Sequence, residues 1–271
     1  MTELASGDLA CTAFEAAAPI YDEFTAHHDY ELWMGAIEPL ARRHGLRPSG
    51  TLLDIGCGTG KSFLPWLARG WAVTACDNSR AMLARAGAKV GDRVRLICAD
   101  ARELPKLGSF DFVTLIDDVA NYLTPDELRL AFRGVASNLA AHGVFVFDLS
   151  TRHLFATFFA STEVRADADR LLVWEGRASP NFGDGDVADA YLDAVTRGGD
   201  GTWIRRRALH RQYHHPVEAV REYLCDAGLR LQGVYGQDYE CNFEPAVDES
   251  RHTKCILVAR HSRVPQDRER R

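Results

Sequence analysis

Five strand-sized apolar runs recur in the first 150 residues, and each ends on an acid. They close at Asp54, Asp77, Asp100, Asp117 and Asp148, and stretches of helical length separate them. Runs that are apolar throughout belong to strands buried on both faces. The spacing therefore predicts a parallel sheet with right-handed crossovers and helices on both sides. Sheets of this kind bind ligands at the carboxyl ends of their strands. Strand-end acids can also be plain helix N-caps, so the turn that follows the first run carries more information.

That turn reads Asp54-Ile55-Gly56-Cys57-Gly58-Thr59-Gly60. Glycines at alternate positions permit positive φ and close approach of a ligand to the main chain. A helix starting near Gly60 would point its free N–H groups at the same place. A phosphate loop would need its leading glycine at position 55, which is Ile55. The dinucleotide fingerprint fits Gly56 and Gly58 but fails at Lys61. Acid-x-Gly-x-Gly-x-Gly fits without a gap. Asp77, at the second strand end, is placed to accept both hydroxyls of a ribose.

With these acids behind it, the turn resembles the first motif of the class I S-adenosylmethionine-dependent methyltransferases. The resemblance implies that Asp100 accepts from the adenine amino group, that the Ala101 N–H bonds a ring nitrogen, and that Asp117 lies at the reaction centre. The implied cofactor-binding set is Tyr21, Tyr30, Trp33, Asp54, Gly56, Cys57, Gly58, Gly60, Asp77, Asn78, Met82, Asp100, Ala101, Arg102 and Asp117, with S-adenosyl-L-methionine as cofactor.

Residues 1–18 are alanine-rich and are expected to be a flexible end. Tyr21 to His44 reads as one helix, with Leu32, Trp33, Ala36, Ile37 and Leu40 near helical spacing. After Asp148 the rhythm changes to alternation. Leu171–Trp174, Ala190–Val195 and Trp203–Gln212 read as antiparallel strands, and Gly198 to Gly201 supplies a hairpin turn. Pro216 opens a helix, and Leu229–Tyr235 and Cys255–Arg260 form a closing antiparallel pair. The fold class expected is α/β: a Rossmann-like, doubly wound, mostly parallel seven-stranded sheet with an inserted antiparallel β lid. The cofactor-binding core would span 19–154, the lid or substrate insertion 155–215, the rest of the core 216–262 and a disordered tail 263–271.

The net charge of −6 argues against a phosphate-backbone partner, so no nucleic acid is expected. No run has the apolar length of a membrane span, and no secretory signal pattern opens the chain. Seven cysteines without regular spacing suit reduced thiols in the cytoplasm. The ten histidines lack ligand spacing, and Asp117-Asp118 lacks a third matched ligand, so no metal site is expected.

Tyr21-Asp22-Glu23-Phe24 followed by Tyr30-Glu31-Leu32-Trp33 is similar to the N-terminal helix region of glycine N-methyltransferase. It also resembles the small-molecule N-methyltransferases of antibiotic pathways, which act on amino sugars and lincosamides. The resemblance implies that two tyrosines approach the sulfonium methyl. It also places a histidine base near position 122, where this chain has Tyr122. The phenols of Tyr21, Tyr30 and Tyr122, named here as the catalytic set, would orient an amine; the alternative for Tyr30 and Trp33 is packing of the helix on the sheet. Asp118, Asn121, Tyr122, Trp174 and His210 are the expected substrate-binding residues. The expected function is methyl transfer to the amine nitrogen of a small molecule in secondary-metabolite biosynthesis. The alternatives are a C- or O-methyltransferase, or a non-catalytic cofactor-binding scaffold. Free lid edges suggest a homo-oligomer.

Overall fold

The computed structural model describes residues 6–262, and the tail expected over 263–271 lies outside them. Helix α1 (Ser6–Ala17) leads through a short turn into α2 (Tyr21–Phe24) and α3 (Tyr30–Arg43). The body then runs β1 (Thr51–Ile55), α4 (Leu64–Ala68), β2 (Ala72–Asp77), α5 (Arg80–Val90), β3 (Arg95–Cys98), β4 (Phe110–Leu115), α6 (Pro125–Asn138) and β5 (Leu139–Ser150). Helix α7 (Arg152–Thr157) precedes the lid strands β6 (Thr162–Ala166), β7 (Arg170–Gly176), β8 (Val187–Arg197) and β9 (Trp203–Tyr213). Helix α8 (Val217–Asp226), β10 (Leu229–Gln237), β11 (Phe243–Pro245) and β12 (Lys254–His261) close the chain.

The main sheet has the order β11-β10-β12-β5-β4-β1-β2-β3. Strands β1 to β5 are parallel, and β12 and β10 add on antiparallel. The seven long strands match the expected sheet, and three-residue β11 extends its edge by pairing with β10. Trp66, Trp71 and Phe112 pack one face under α3, α4 and α5, while Phe132, Phe145 and Phe147 pack the other under α6 and α8. From β1 the chain winds outward through β2 and β3, then returns to β4 on the other side. The crevice at the carboxyl ends of β1 and β4 is therefore the topological switch point, where such sheets take ligands. The lid strands form a separate antiparallel sheet with its own apolar cluster, which includes Phe155, Phe159, Trp174 and Phe182 together with Ala17 and Ile20.

Two segments depart from the sequence expectation. The alanine-rich start holds α1, whose intrinsic helix preference is high; it is tied down because the Glu15 carboxylate accepts from Ser79 Oγ (2.9 Å) and the Ala81 N–H (3.1 Å). The single helix expected from Tyr21 to His44 breaks at Thr25–Asp29. There Asp29 caps α3 by accepting from the Leu32 N–H (2.9 Å), and Lys61 Nζ takes the Thr25 carbonyl (2.7 Å).

Candidate active site

Beyond β1 the chain turns through Gly56, Gly58 and Gly60 at φ +70°, +53° and +89°. A Cβ on Gly56 would come within 2.6 Å of Val119 Cγ2, and one on Gly60 within 2.6 Å of Phe63 Cζ, so any side chain there would be strained and crowded. Asp77, carried by β2, accepts from the Gly58 N–H on one oxygen and the Ser79 N–H on the other, both at 2.8 Å. Burial pushes its carboxyl above the ordinary value. Each oxygen keeps a second lone pair, enough to take two ribose hydroxyls. Segment α2 is fastened to the same turn: Asp22 accepts from Thr59 Oγ1 (2.5 Å) and pairs with Lys89 (2.7 Å). Tyr21 is held at the glycine turn by these ties.

A cleft opens here, lined by the expected Tyr21, Gly56, Gly58, Asp77, Asn78, Met82, Asp100, Ala101 and Tyr122. Sequence reasoning missed Ala99, Val119 and Leu123, and also Ala10 and Phe14 of α1, which cover the cleft. Nothing local marks the last two; only the packing of α1 brings them there. At the far end Asp100 is gripped by Arg102 through Nε (3.0 Å) and Nη2 (2.8 Å). Burial alone would raise the Asp100 carboxyl, but these bonds win and hold it below its usual value.

Several expected contact residues lie elsewhere. Asp54 is 1% exposed and accepts from Ser62 Oγ (2.5 Å) and Thr114 Oγ1 (2.6 Å), so it braces the turn from behind. Cys57 points into the core under α3, and Gly60 shapes the turn without lining the cleft. Trp33 packs in that core and donates from Nε1 to Gln237 Oε1 (2.8 Å). Arg102 is spent on Asp100 and Glu127. Asn121 serves the backbone, donating to the Tyr213 carbonyl and accepting the Ser150 N–H, both at 2.9 Å. Trp174 stacks on Phe158 (4.9 Å) in the lid core.

Buried Asp54 supplies a pH test. Burial lifts its pKa from 3.8 to about 6 despite the two hydroxyls. The folded state then holds a proton that the unfolded state releases. Stability contributed by the protonated form is complete below pH 3.8 and is lost as pH rises through about 6. The loss is about 3 kcal/mol. Asp54→Asn should therefore gain about that much on the parent between pH 4 and 7 in urea unfolding. Parallel pH profiles for the two proteins would contradict it.

At the end of β4, Asp117 and Asp118 both sit at positive φ, +69° and +66°. Backbone strain of this kind concentrates at working sites. The phenols of Tyr30 (2.5 Å) and Tyr21 (3.2 Å) both donate to Asp117 Oδ2. Burial, reinforced by the Asp117 charge, raises both phenols well above the usual value, so they act as donors at neutral pH. Asp118 turns away to Lys254 and to Ser150 Oγ (2.8 Å), and Lys254 also holds Asp148 (2.6 Å). Tyr122 bonds His210 Nδ1 at 2.8 Å, and the Phe14 ring meets both edge-on. Among the described residues, no His, Cys, Asp and Glu side chains gather in threes to hold a metal ion.

A parallel sheet with a positive-φ glycine turn and a strand-end acid at its switch point defines a nucleoside-binding α/β enzyme. Residues 52–143 match the family model described as a methyltransferase domain. The chain is 30% identical over 227 residues to the Bacillus subtilis protein YqeM, to which methyltransferase activity is ascribed; the match covers 82% of this chain and 88% of that one. The structure of an S-adenosylmethionine-dependent methyltransferase from Clostridium acetobutylicum is similar at a TM-score of 0.75 and 25% identity, over 90% of this chain and 97% of that chain. A sugar N-methyltransferase of a Streptoalloteichus species shares the fold at a TM-score of 0.68 and 21% identity, over 89% and 93% of the two chains. The chain belongs to the S-adenosylmethionine-dependent methyltransferases. The donor set fits that cofactor: free lone pairs on Asp77 for a ribose, and Met82, Ala99 and Leu123 beside Asp100 for an adenine ring. Among the described residues, no helix is long and apolar enough to cross a membrane.

Proposed function

We propose that this enzyme methylates the amine nitrogen of a small molecule by in-line displacement. The observation that carries this reading is the pair of phenols, Tyr21 and Tyr30, donating to one Asp117 oxygen, with Tyr21 itself on the wall of the cleft. S-adenosylmethionine supplies a methyl group already activated on a sulfonium. The protein then has mainly to hold a neutral nucleophile in line, and orientation of this kind is worth up to roughly 7–11 kcal/mol. Asp77, the glycine turn, Asn78, Met82, Asp100 and Ala101 would hold the cofactor. Tyr21 and Tyr30, fixed on Asp117, would face its methyl, and aromatic faces favour a sulfonium.

An ammonium acceptor can lose its proton to solvent before reaction, which leaves the neutral amine as the nucleophile. A phenol acceptor would call for a strong base, and His210 is a poor one because burial pushes its pKa down to about 4. The Asp117 carboxylate, which has no cationic partner of its own among the described residues, suits a basic acceptor better than an anionic one. Enzymes of this fold include the sugar N-methyltransferase above and a glycopeptide N-methyltransferase, which supports an acceptor of secondary metabolism. Seven free cysteines suit a reducing compartment, and the free β6 edge suits pairing between copies.

Incubation with ¹³C-methyl-labelled cofactor and a panel of amines, phenols and carbon acids tests the reading. N-methyl products are expected, and a panel yielding only O- or C-methyl products would replace it. Tyr21→Phe should lower kcat about tenfold with KM little changed. A change in KM alone would remove Tyr21 from the methyl.

A further inference from the structure

Two cysteines far apart in the chain meet at the rim of the cleft. Ala10 of α1 lines it on one side and Ala99, just after β3, on another. The residue after Ala10 is Cys11, and the residue before Ala99 is Cys98. Both thiols donate to a single acceptor, the carbonyl oxygen of Asn78, over 3.6 Å from Cys11 Sγ and 3.9 Å from Cys98 Sγ. The two sulfurs are therefore no farther apart than these two bonds laid end to end. Asn78 itself lines the cleft, which puts the pair on its edge.

Thiols are weak donors, so these contacts add little to the hold on α1. The stronger ties are the two hydrogen bonds that Glu15 accepts from Ser79 and Ala81. Beyond Ala17 the chain passes into a short turn at Ala18–Ile20, where a swing of the helix can be taken up. A helix held without a strand ladder can also make the shift that brings the sulfurs to bonding geometry. Cys98 is exposed and Cys11 half-buried, whereas Cys57, Cys76 and Cys255 are buried, out of an oxidant's reach. Burial, reinforced by the Glu15 and Asp77 charges, raises the Cys11 thiol above its usual value, so the exposed Cys98 reacts first.

We propose that Cys11 and Cys98 form a reversible disulfide that latches α1 over the Asp100 end of the cleft and slows cofactor exchange. The oxidant is a small disulfide of the glutathione type. The Cys98 thiolate attacks one of its sulfurs and expels one thiolate of the reagent, leaving a mixed disulfide. Cys11 then gives up its proton and attacks the Cys98 sulfur, and the second reagent thiolate leaves. The two protein thiols lose two electrons, the reagent's S–S bond gains them, and the two cysteine protons end on its two thiols. In the reduced state α1 can swing; in the oxidised state Ala10 and Phe14 stay across the cleft.

Two measurements test it. Full-length enzyme is treated with glutathione disulfide, its remaining thiols are alkylated, and its peptides are read by mass spectrometry. Peptides joined through Cys11 and Cys98 are expected. Glutathione left on Cys98, or both thiols alkylated, overturns the pair. Release of radiolabelled S-adenosylhomocysteine is then timed before and after oxidation. Oxidation should slow release about tenfold or more, and dithiothreitol should restore it. Cys11→Ser and Cys98→Ser should each abolish the response while the reduced enzyme keeps its S-adenosylhomocysteine affinity, and Cys225→Ser should leave the response intact. Unchanged release from the cross-linked enzyme, or release still slowed by oxidation in both Cys11→Ser and Cys98→Ser, overturns the latch.

Discussion

Asp77→Ala is expected to weaken S-adenosylmethionine binding by about a hundredfold, because two hydrogen bonds to a charged acceptor, each worth about 1.5 kcal/mol or more, would go. The same carboxylate also ties the Gly58 and Ser79 N–H groups, so its loss leaves the glycine turn without its brace. Asp77→Asn separates the two contributions. It keeps one acceptor oxygen but turns a donor toward one of the two N–H groups, so its affinity should fall between parent and alanine variant. Calorimetry with S-adenosylhomocysteine reads both variants. Unchanged affinity in Asp77→Ala would mean that the ribose does not sit on this residue.

Lys254→Met should be the most destabilising single change in the site. The ammonium lies under the sheet's carboxyl edge between Asp118 and Asp148 and over the Trp33 ring (5.4 Å). Burial alone would lower its pKa, but the two carboxylates win and hold it raised. Removing one partner of a buried ion pair strands the other charges and costs about 3–5 kcal/mol. For a chain of this size that lowers Tm by roughly ten degrees. Adding Asp148→Asn to Lys254→Met removes one stranded charge and should recover part of the loss, a coupling that a double-mutant cycle reads directly. Equal and additive losses would show that Lys254 and Asp148 do not depend on each other.

The parallel body was legible because each of its signals is local. An apolar run, an acid and a glycine turn identify themselves within a few residues, as Asp54 to Gly60 does. Asp77 and Asp100 could be placed at the cleft because strand ends in this topology converge, and Tyr21, in α2, through the resemblance of its segment. The lid strands β7 to β9 showed in their alternation, whereas five-residue β6, mostly polar, and three-residue β11 did not. Residues whose meaning depends on distant partners stayed hidden. Lys254 meets Asp118 across 136 positions, and Phe14 reaches Tyr122 and His210 only because α1 folds back over the cleft. The reverse error has the same origin. Trp33, Asp54 and Asn121 are polar or aromatic at suggestive positions, yet each is consumed by a structural partner that the sequence does not announce.

The most direct test of the central claim is a crystal structure with S-adenosylhomocysteine. The ribose hydroxyls should lie on Asp77, the adenine between Met82 and Leu123 beside Asp100, and the sulfur at the Tyr21 end, open toward Tyr122 and His210. A ribose away from Asp77, or a sulfur turned from Tyr21 and Asp117, would contradict it.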